Sequence, residues 1–218
     1  MNRIFCTHPQ GSDEWRLARI GKATGSRIKE AFATTKSGYS ASRLAYCTQL
    51  AIERISQTPY ESGFITDDMT RGTELEGEAR FSYEEATGNV VHEAGFVYLD
   101  TVLAGCSVDG LIGDDGMVEI KCPRSHTHIG YILADQVPPD YVPQMTHNLW
   151  VMGRKWADFV SYDPRVPKGL DTFIVRFTPT AEALQKHEEE VHKFLAEVDA
   201  LERKLIEKLS RYPLQQAA

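Results

Sequence analysis

The sequence predicts an α/β fold: a central mixed β-sheet flanked by helices, in a single domain over residues 1–218 that ends in a long helix. Three observations carry that expectation. Val118, Ile120 and Cys122 alternate with Glu119 and Lys121, the period of two expected of a strand with one apolar and one charged face. Short runs of this kind are interleaved with stretches of helical spacing along the chain. Leu184, Val191, Phe194, Leu195, Val198, Leu201, Leu205 and Leu209 recur at helical spacing and form one amphipathic stripe. Its ordinary meaning is a helix laid on its own domain, although a coiled coil has the same signature.

In chain order, short helices are expected near residues 13–20 and 26–34. A Gly/Ser/Tyr segment around 37–40 leads to a helix near 41–56. After a loop holding Pro59 and Gly63 comes a glutamate-rich helix that Gly88 terminates as a C-cap. Its face of Leu75, Ala79 and Tyr83 should pack on the sheet. Residues 90–91, 95–99, 103–108 and 117–121 read as strands, the last ended by Pro123, which cannot donate to a central ladder. A short helix near 126–134 precedes the break at Pro138-Pro139. A helix over 142–153, strands at 156–161 and 172–177, and the long final helix from Thr178 or Thr180 complete the chain. No internal repeat or low-complexity segment interrupts it.

A chain of 218 residues, 42% hydrophobic, is enough for one sizeable core. No apolar run approaches the ~20 residues needed to cross a bilayer, and no apolar stretch of a signal peptide opens the sequence, so a cytoplasmic protein without a membrane partner is expected. Cys6, Cys47, Cys106 and Cys122 form no Cys-x-x-Cys pair, which argues against a disulfide framework or a zinc ribbon. A mixed zinc set of Cys106, Cys122, His126 and His128 matches no structural zinc spacing. Ser107 lacks the second glycine of a nucleophile elbow. The formal charge of −7, from 24 basic and 31 acidic residues, is unusual for a protein that grips phosphates. The distribution eases the conflict, because Arg16, Arg19, Lys22, Arg27 and Lys29 form a locally basic segment.

Chemistry concentrates in Ser107-Val-Asp-Gly-Leu111 and Val118-Glu-Ile-Lys-Cys-Pro123. Asp109 and Glu119 are hard oxygen donors of the kind magnesium prefers. A metal pair ~3.5–4 Å apart, able to stabilise both the attacking and leaving oxygens of a phosphodiester, calls for another acid. Glu76 is the candidate, at the margin of its helix. Lys121, beside acids and a dication, should stay protonated and serve as an electrostatic or orienting group, not as a base. The competing reading is a solvated Glu-Lys ladder on an edge strand, with Asp109-Gly110 a simple turn.

At this point the chain resembles the phage lambda exonuclease type of alkaline exonuclease, a YqaJ-type viral recombinase family within the restriction-endonuclease-like nucleases named for a PD-(D/E)xK core. The resemblance runs through Trp15–Ser26, Arg71–Arg80, Cys106–Leu111, Glu119–Pro123, Tyr141–Met145 and Tyr162–Arg165. Val108 stands where the motif name has proline, a position that supplies no ligand. The resemblance implies a restriction-endonuclease-like core in which Glu76, Asp109, Glu119 and the backbone carbonyl of Ile120 hold metal. Lys121 takes the place of the catalytic lysine, and Gln144 completes the site. Arg19, Ser26 and Ser107 would receive a 5′-phosphate. Two physical arguments agree: Ser26 is placed to cap a helix starting at Arg27, and Arg19 offers a planar fork matched to phosphate.

The implied activity is digestion of one strand of linear double-stranded DNA from its 5′ end, releasing mononucleotides and leaving a 3′ single-stranded tail. Two Mg2+ ions per site, or Mn2+, would be the cofactors. The implied partners are DNA ends, two further copies in a homotrimer ring, and a single-strand annealing protein in phage-type recombination inside a bacterial host cell. Met69 is an expected apolar wedge at the duplex end. A restriction-like endonuclease and a non-catalytic DNA-end-binding scaffold are the rival expectations.

Overall fold

The computed structural model describes residues 1–36, 38–60 and 67–211, without the side chains of residues 67–69. The elements run β1 (Arg3–Cys6), α1 (Asp13–Arg19), β2 (Ala23–Thr24), a 3-10 turn (Gly25–Arg27), α2 (Ile28–Ala31), β3 (Thr34–Thr35), β4 (Gly38–Tyr39), α3 (Ala41–Ser56) and α4 (Asp67–Thr87). They continue with β5 (Phe96–Leu99), β6 (Ala104–Ser107), β7 (Gly110–Ile112), β8 (Gly116–Lys121), α5 (Ser125–Ala134), α6 (Val142–Met152), β9 (Trp156–Tyr162), β10 (Thr172–Phe177) and α7 (Ala181–Arg211).

The expected mixed sheet is divided in two. One four-stranded sheet has the order β1-β5-β6-β2, the other β10-β9-β8-β7, and each combines parallel with antiparallel pairs. The chain crosses between them within Ser107–Gly110, so Asp109 sits at the junction and the tight turn falls at Gly113–Asp115 instead. The alternation in β8 is realised. Val118 and Ile120 join Ala79, Tyr83, Val160 and Tyr162 in a cluster beneath α4. Met117 belongs to the larger cluster of Met145, Leu149, Phe159 and Phe194, so the Glu119 face of β8 looks towards α6.

α7 lies on its own subunit. Val191, Phe194, Leu195 and Val198 are buried, Phe194 stacks on Tyr46 at 5.4 Å, and Arg43 to Glu197 (2.7 Å) and Arg54 to Asp199 (2.6 Å) tie it to α3. Gly88, at φ 71°, closes α4 by donating to the Glu84 carbonyl, and Gly153, at φ 64°, caps α6.

Three local expectations are corrected. Residues 26–34 do not form one helix: a 3-10 turn and one turn of α-helix give way to a hairpin in which the β-branched Thr34 and Thr35 pair with Tyr39 and Gly38. Ser26 therefore sits inside the 3-10 turn and is not a helix cap. Residues 90–91 are not a strand, because the Val91 amide donates to the Glu84 carboxylate (2.7 Å) and only His92 bridges to Leu111. Residues 3–6 and 23–24, read as neither helix nor strand, pair with β5 and β6.

Candidate active site

Two regions carry the sequence-predicted residues. The first is an acidic wall around a cleft of 800 Å³, lined among others by Glu76, Asp109, Ile120, Lys121, Arg124, Tyr131 and Tyr141. Glu119, 1% exposed, stands behind this wall. Lys121 (2.5 Å) and Gln144 both donate to its Oε1, and Asn148 donates to Oε2 at 3.1 Å. Gln144 and Asn148 are one helical turn apart on α6, so both carboxamides leave the same face. Asp109 accepts from the backbone amide of Ile120 through Oδ2 (2.6 Å). The Ile120 side chain is buried in the cluster beneath α4, and Ile120 is among the residues that line the cleft.

Glu76 reaches the cleft from α4. Arg80 donates to its Oε1 (3.3 Å) and to the Asp109 carbonyl (3.1 Å). The approach of α4 is set by Arg71, which pairs with the fully buried Asp163 (3.1 Å) and donates to the Cys122 and Pro123 carbonyls at the end of β8 (3.4 Å each).

The charges respond to this crowding. Burial, followed by Asp109, pushes the Glu76 carboxyl up. Burial pushes Glu119 up to about 7 and Asp109 adds to it, against the pull of Lys121 and Asn148. Burial works against the Lys121 charge, but Glu119 and Asp109 outweigh it and hold the ammonium above its usual range, so it stays protonated.

The second region is a polar corner on the other sheet. Arg19 stacks over Trp15 (4.2 Å) and Phe96 (5.2 Å), and among the described residues its guanidinium has no ion pair or hydrogen bond. Burial lowers its pKa. Ser107, paired in register with Phe96, holds a buried hydroxyl with no partner. Ser26 is exposed nearby in sequence to β2. The helix that joins the two regions is α6. His147 meets the Gly105 carbonyl of β6 (3.2 Å) and His187 of α7 (3.0 Å), and burial lowers their pKa values to about 3 and about 4.

Among the described residues, no three His, Cys, Asp or Glu groups are spaced to hold a metal ion together. Glu76 is turned to Arg80, and Glu119 stands behind the wall with Lys121 and Gln144 on one oxygen and Asn148 on the other. The donor set nonetheless suits a hard cation, with two like-charged carboxylates lining one cleft and a third behind it, the Glu76 and Glu119 pKa values raised by burial and by Asp109. The mixed zinc set does not form. His128 is fully buried and spends both nitrogens on Ser161 Oγ and the Leu170 carbonyl, each at 2.7 Å. Met69 falls outside the described side chains.

Residues 14–155 match the model of the YqaJ-like viral recombinase domain. The chain belongs to that family. No curated protein matches it in sequence. Among solved structures, the alkaline exonuclease LHK-Exo of Laribacter hongkongensis, also solved in complex with dAMP, superposes with a TM-score of 0.83 at 39% identity, covering 92% of this chain and 99% of that one. A phage-related exonuclease from Haemophilus somnus 129PT shares the fold, with a TM-score of 0.64 at 14% identity over 84% of this chain and 96% of that one. By family and structural kinship this recombinase-domain chain is an exonuclease-type enzyme. No helix among the described residues is long and apolar enough to cross a membrane.

Two residues of the site escaped the sequence reading. Arg80, at the end of a block that carries the resemblance, and Asn148 have no role there, but each lies four residues beyond a candidate, Glu76 and Gln144, on the same helical face.

Proposed function

We propose that this chain is a divalent-metal-dependent, 5′ to 3′ exonuclease of linear double-stranded DNA that releases mononucleotides and leaves a 3′ single-stranded tail. The single observation that supports it most is the protonated Lys121 sharing one cleft with the Glu76 and Asp109 carboxylates and gripping Glu119 at its back. Glu76, Asp109, Glu119 and the Ile120 carbonyl are the groups that would hold Mg2+ or Mn2+, two ions per site. Bound there, the cations would polarise the scissile phosphate and lower the pKa of the attacking water. Glu76 would have to turn from Arg80 to share a cation, whereas Glu119 Oε2, with Asn148 as its one donor, keeps a lone pair for it. Lys121 offsets charge on the phosphoryl oxygens without giving up its proton, while Gln144 keeps Glu119 oriented.

Arg19, Ser26 and Ser107 form the proposed seat of the 5′-phosphate, which gives the 5′ direction. The buried, unpartnered Ser107 hydroxyl supports that role, since buried polar groups ordinarily have partners, as does a guanidinium whose near neighbours are the Trp15 and Phe96 rings. The homotrimer ring, the single-strand annealing partner and a place in phage-type recombination complete the proposal, with the family resemblance as their support.

The test is digestion of end-labelled linear duplex with Mg2+, with EDTA and with a closed circular control. Mononucleotides should appear from the 5′ strand only, faster from phosphorylated ends, and not with EDTA. Cleavage of the circle would replace the exonuclease with an endonuclease.

A further inference from the structure

Asn148 occupies a point that neither region explains by itself. Its side chain is fully buried on α6 and its Nδ2 donates to Glu119 Oε2 at 3.1 Å, opposite the Gln144 and Lys121 donors on Oε1. Its other end, Oδ1, is buried without a partner. That oxygen points at Gly25, the first residue of the 3-10 turn that carries Ser26: a Cβ added to Gly25 would lie 2.0 Å from Asn148 Oδ1 and 3.1 Å from Asn148 Cγ. The next neighbour, His147 Cδ2, is at an ordinary 3.5 Å. Gly25 does not have a positive φ, so space and not backbone conformation excludes a side chain there.

We infer that Asn148 is a positioning residue that fixes the Glu119 carboxylate from the side opposite Lys121, and that Gly25 is glycine because the Asn148 carboxamide fills its side-chain space. The inference rests on the proposed role of Glu119 as a metal-holding acid. Physically, the two carboxamides of α6 clamp both oxygens of one buried carboxylate, which sets its rotation about the last side-chain bond. Backbone bulk at Gly25 sets how far the Asn148 end of the clamp can withdraw. The turn bearing Ser26 and the acid behind the cleft are thereby held in one register. Groups that orient metal ligands without touching the metal commonly change metal affinity ~10–100-fold when removed.

The experiment is calorimetric titration of Mg2+ and Mn2+ into wild type, Asn148→Ala, the near-isosteric Asn148→Leu, Gly25→Ala and the Gly25→Ala/Asn148→Ala double variant, with thermal melts of each. Steady-state digestion over a range of linear-duplex concentrations separates kcat from KM. Both Asn148 variants should lose at least about tenfold in metal affinity and in kcat, with KM for DNA within twofold. Gly25→Ala, which keeps both side chains of the clamp, should show the same loss. The double variant should be no worse than Asn148→Ala, because the only close contact of the new methyl has gone.

Metal affinity within twofold of wild type in folded Asn148→Leu would overturn the inference, as would multiplicative losses in the double variant. Weakened metal binding in these variants alongside a wild type that digests no DNA would leave the clamp standing and remove the exonuclease reading instead.

Discussion

The acidic wall and the polar corner are built on opposite terms. In the wall each charge already has a counterpart: Glu119 with Lys121, Glu76 with Arg80, Asp109 with the Ile120 amide. In the corner, Arg19 has only aromatic rings against its guanidinium, and the Ser107 hydroxyl has nothing. A compensated cluster keeps its geometry unaided, whereas an unpaired buried hydroxyl such as that of Ser107 costs stability until a ligand bonds to it. The contrast supports the proposed division, with chemistry at the wall and 5′-phosphate capture at the corner.

The comparison breaks first at Lys121. Lys121→Ala should slow digestion by about 10³-fold, while retention of duplex DNA on a gel is unchanged. Equal losses of binding and turnover would make the wall part of the DNA grip. Arg19→Ala should cost about 10–100-fold on 5′-phosphorylated ends, the worth of a charge-assisted hydrogen bond, with 5′-hydroxyl ends hardly affected. The same loss on both ends would detach the corner from phosphate.

The imidazoles where the regions meet supply a third measurement. His147 and His187 have folded pKa values below the ordinary 6.5, at about 3 and about 4, so folding favours their neutral forms. Their contribution is complete above pH 6.5 and is lost as pH falls towards 4, by about 1.4 kcal/mol per pH unit for each imidazole that must stay neutral. Urea unfolding at pH 7.5 and 5 should show this slope in wild type and a shallower one in His187→Phe. The smallest effects concern stability at neutral pH. Gln144→Ala, which takes a donor from the buried Glu119, should lower the unfolding free energy by about 1 kcal/mol, whereas Ser107→Ala, which removes an unmatched hydroxyl, should stay within about 0.5 kcal/mol of wild type. Comparable losses would mean that Ser107 has a partner.

How much of this was legible in the sequence depends on the range of the determining contacts. The period of two put Glu119 and Lys121 on one face, and helical spacing put Ala79 and Tyr83 on the sheet, as the structure has them. Gly88 and Gly153 marked helix ends correctly or within a residue. Arg3–Cys6 escaped because only Cys6 is buried, so the strand shows no alternation and exists by pairing with Phe96–Leu99. Residues 26–34 misled because helix propensity there yields to the Thr34–Tyr39 hairpin.

The sequence by itself determined which groups are acidic, basic or apolar and which face of its own strand or helix each occupies, because those properties depend on near neighbours and a fixed backbone period. Only the tertiary structure decided that the chain changes sheets at Ser107–Gly110, that Asn148 reaches a carboxylate 29 residues away while excluding a side chain at Gly25, and that Arg19 is left without an acid. Those outcomes come from packing separate elements into one volume, where distance along the chain carries no information about distance in space.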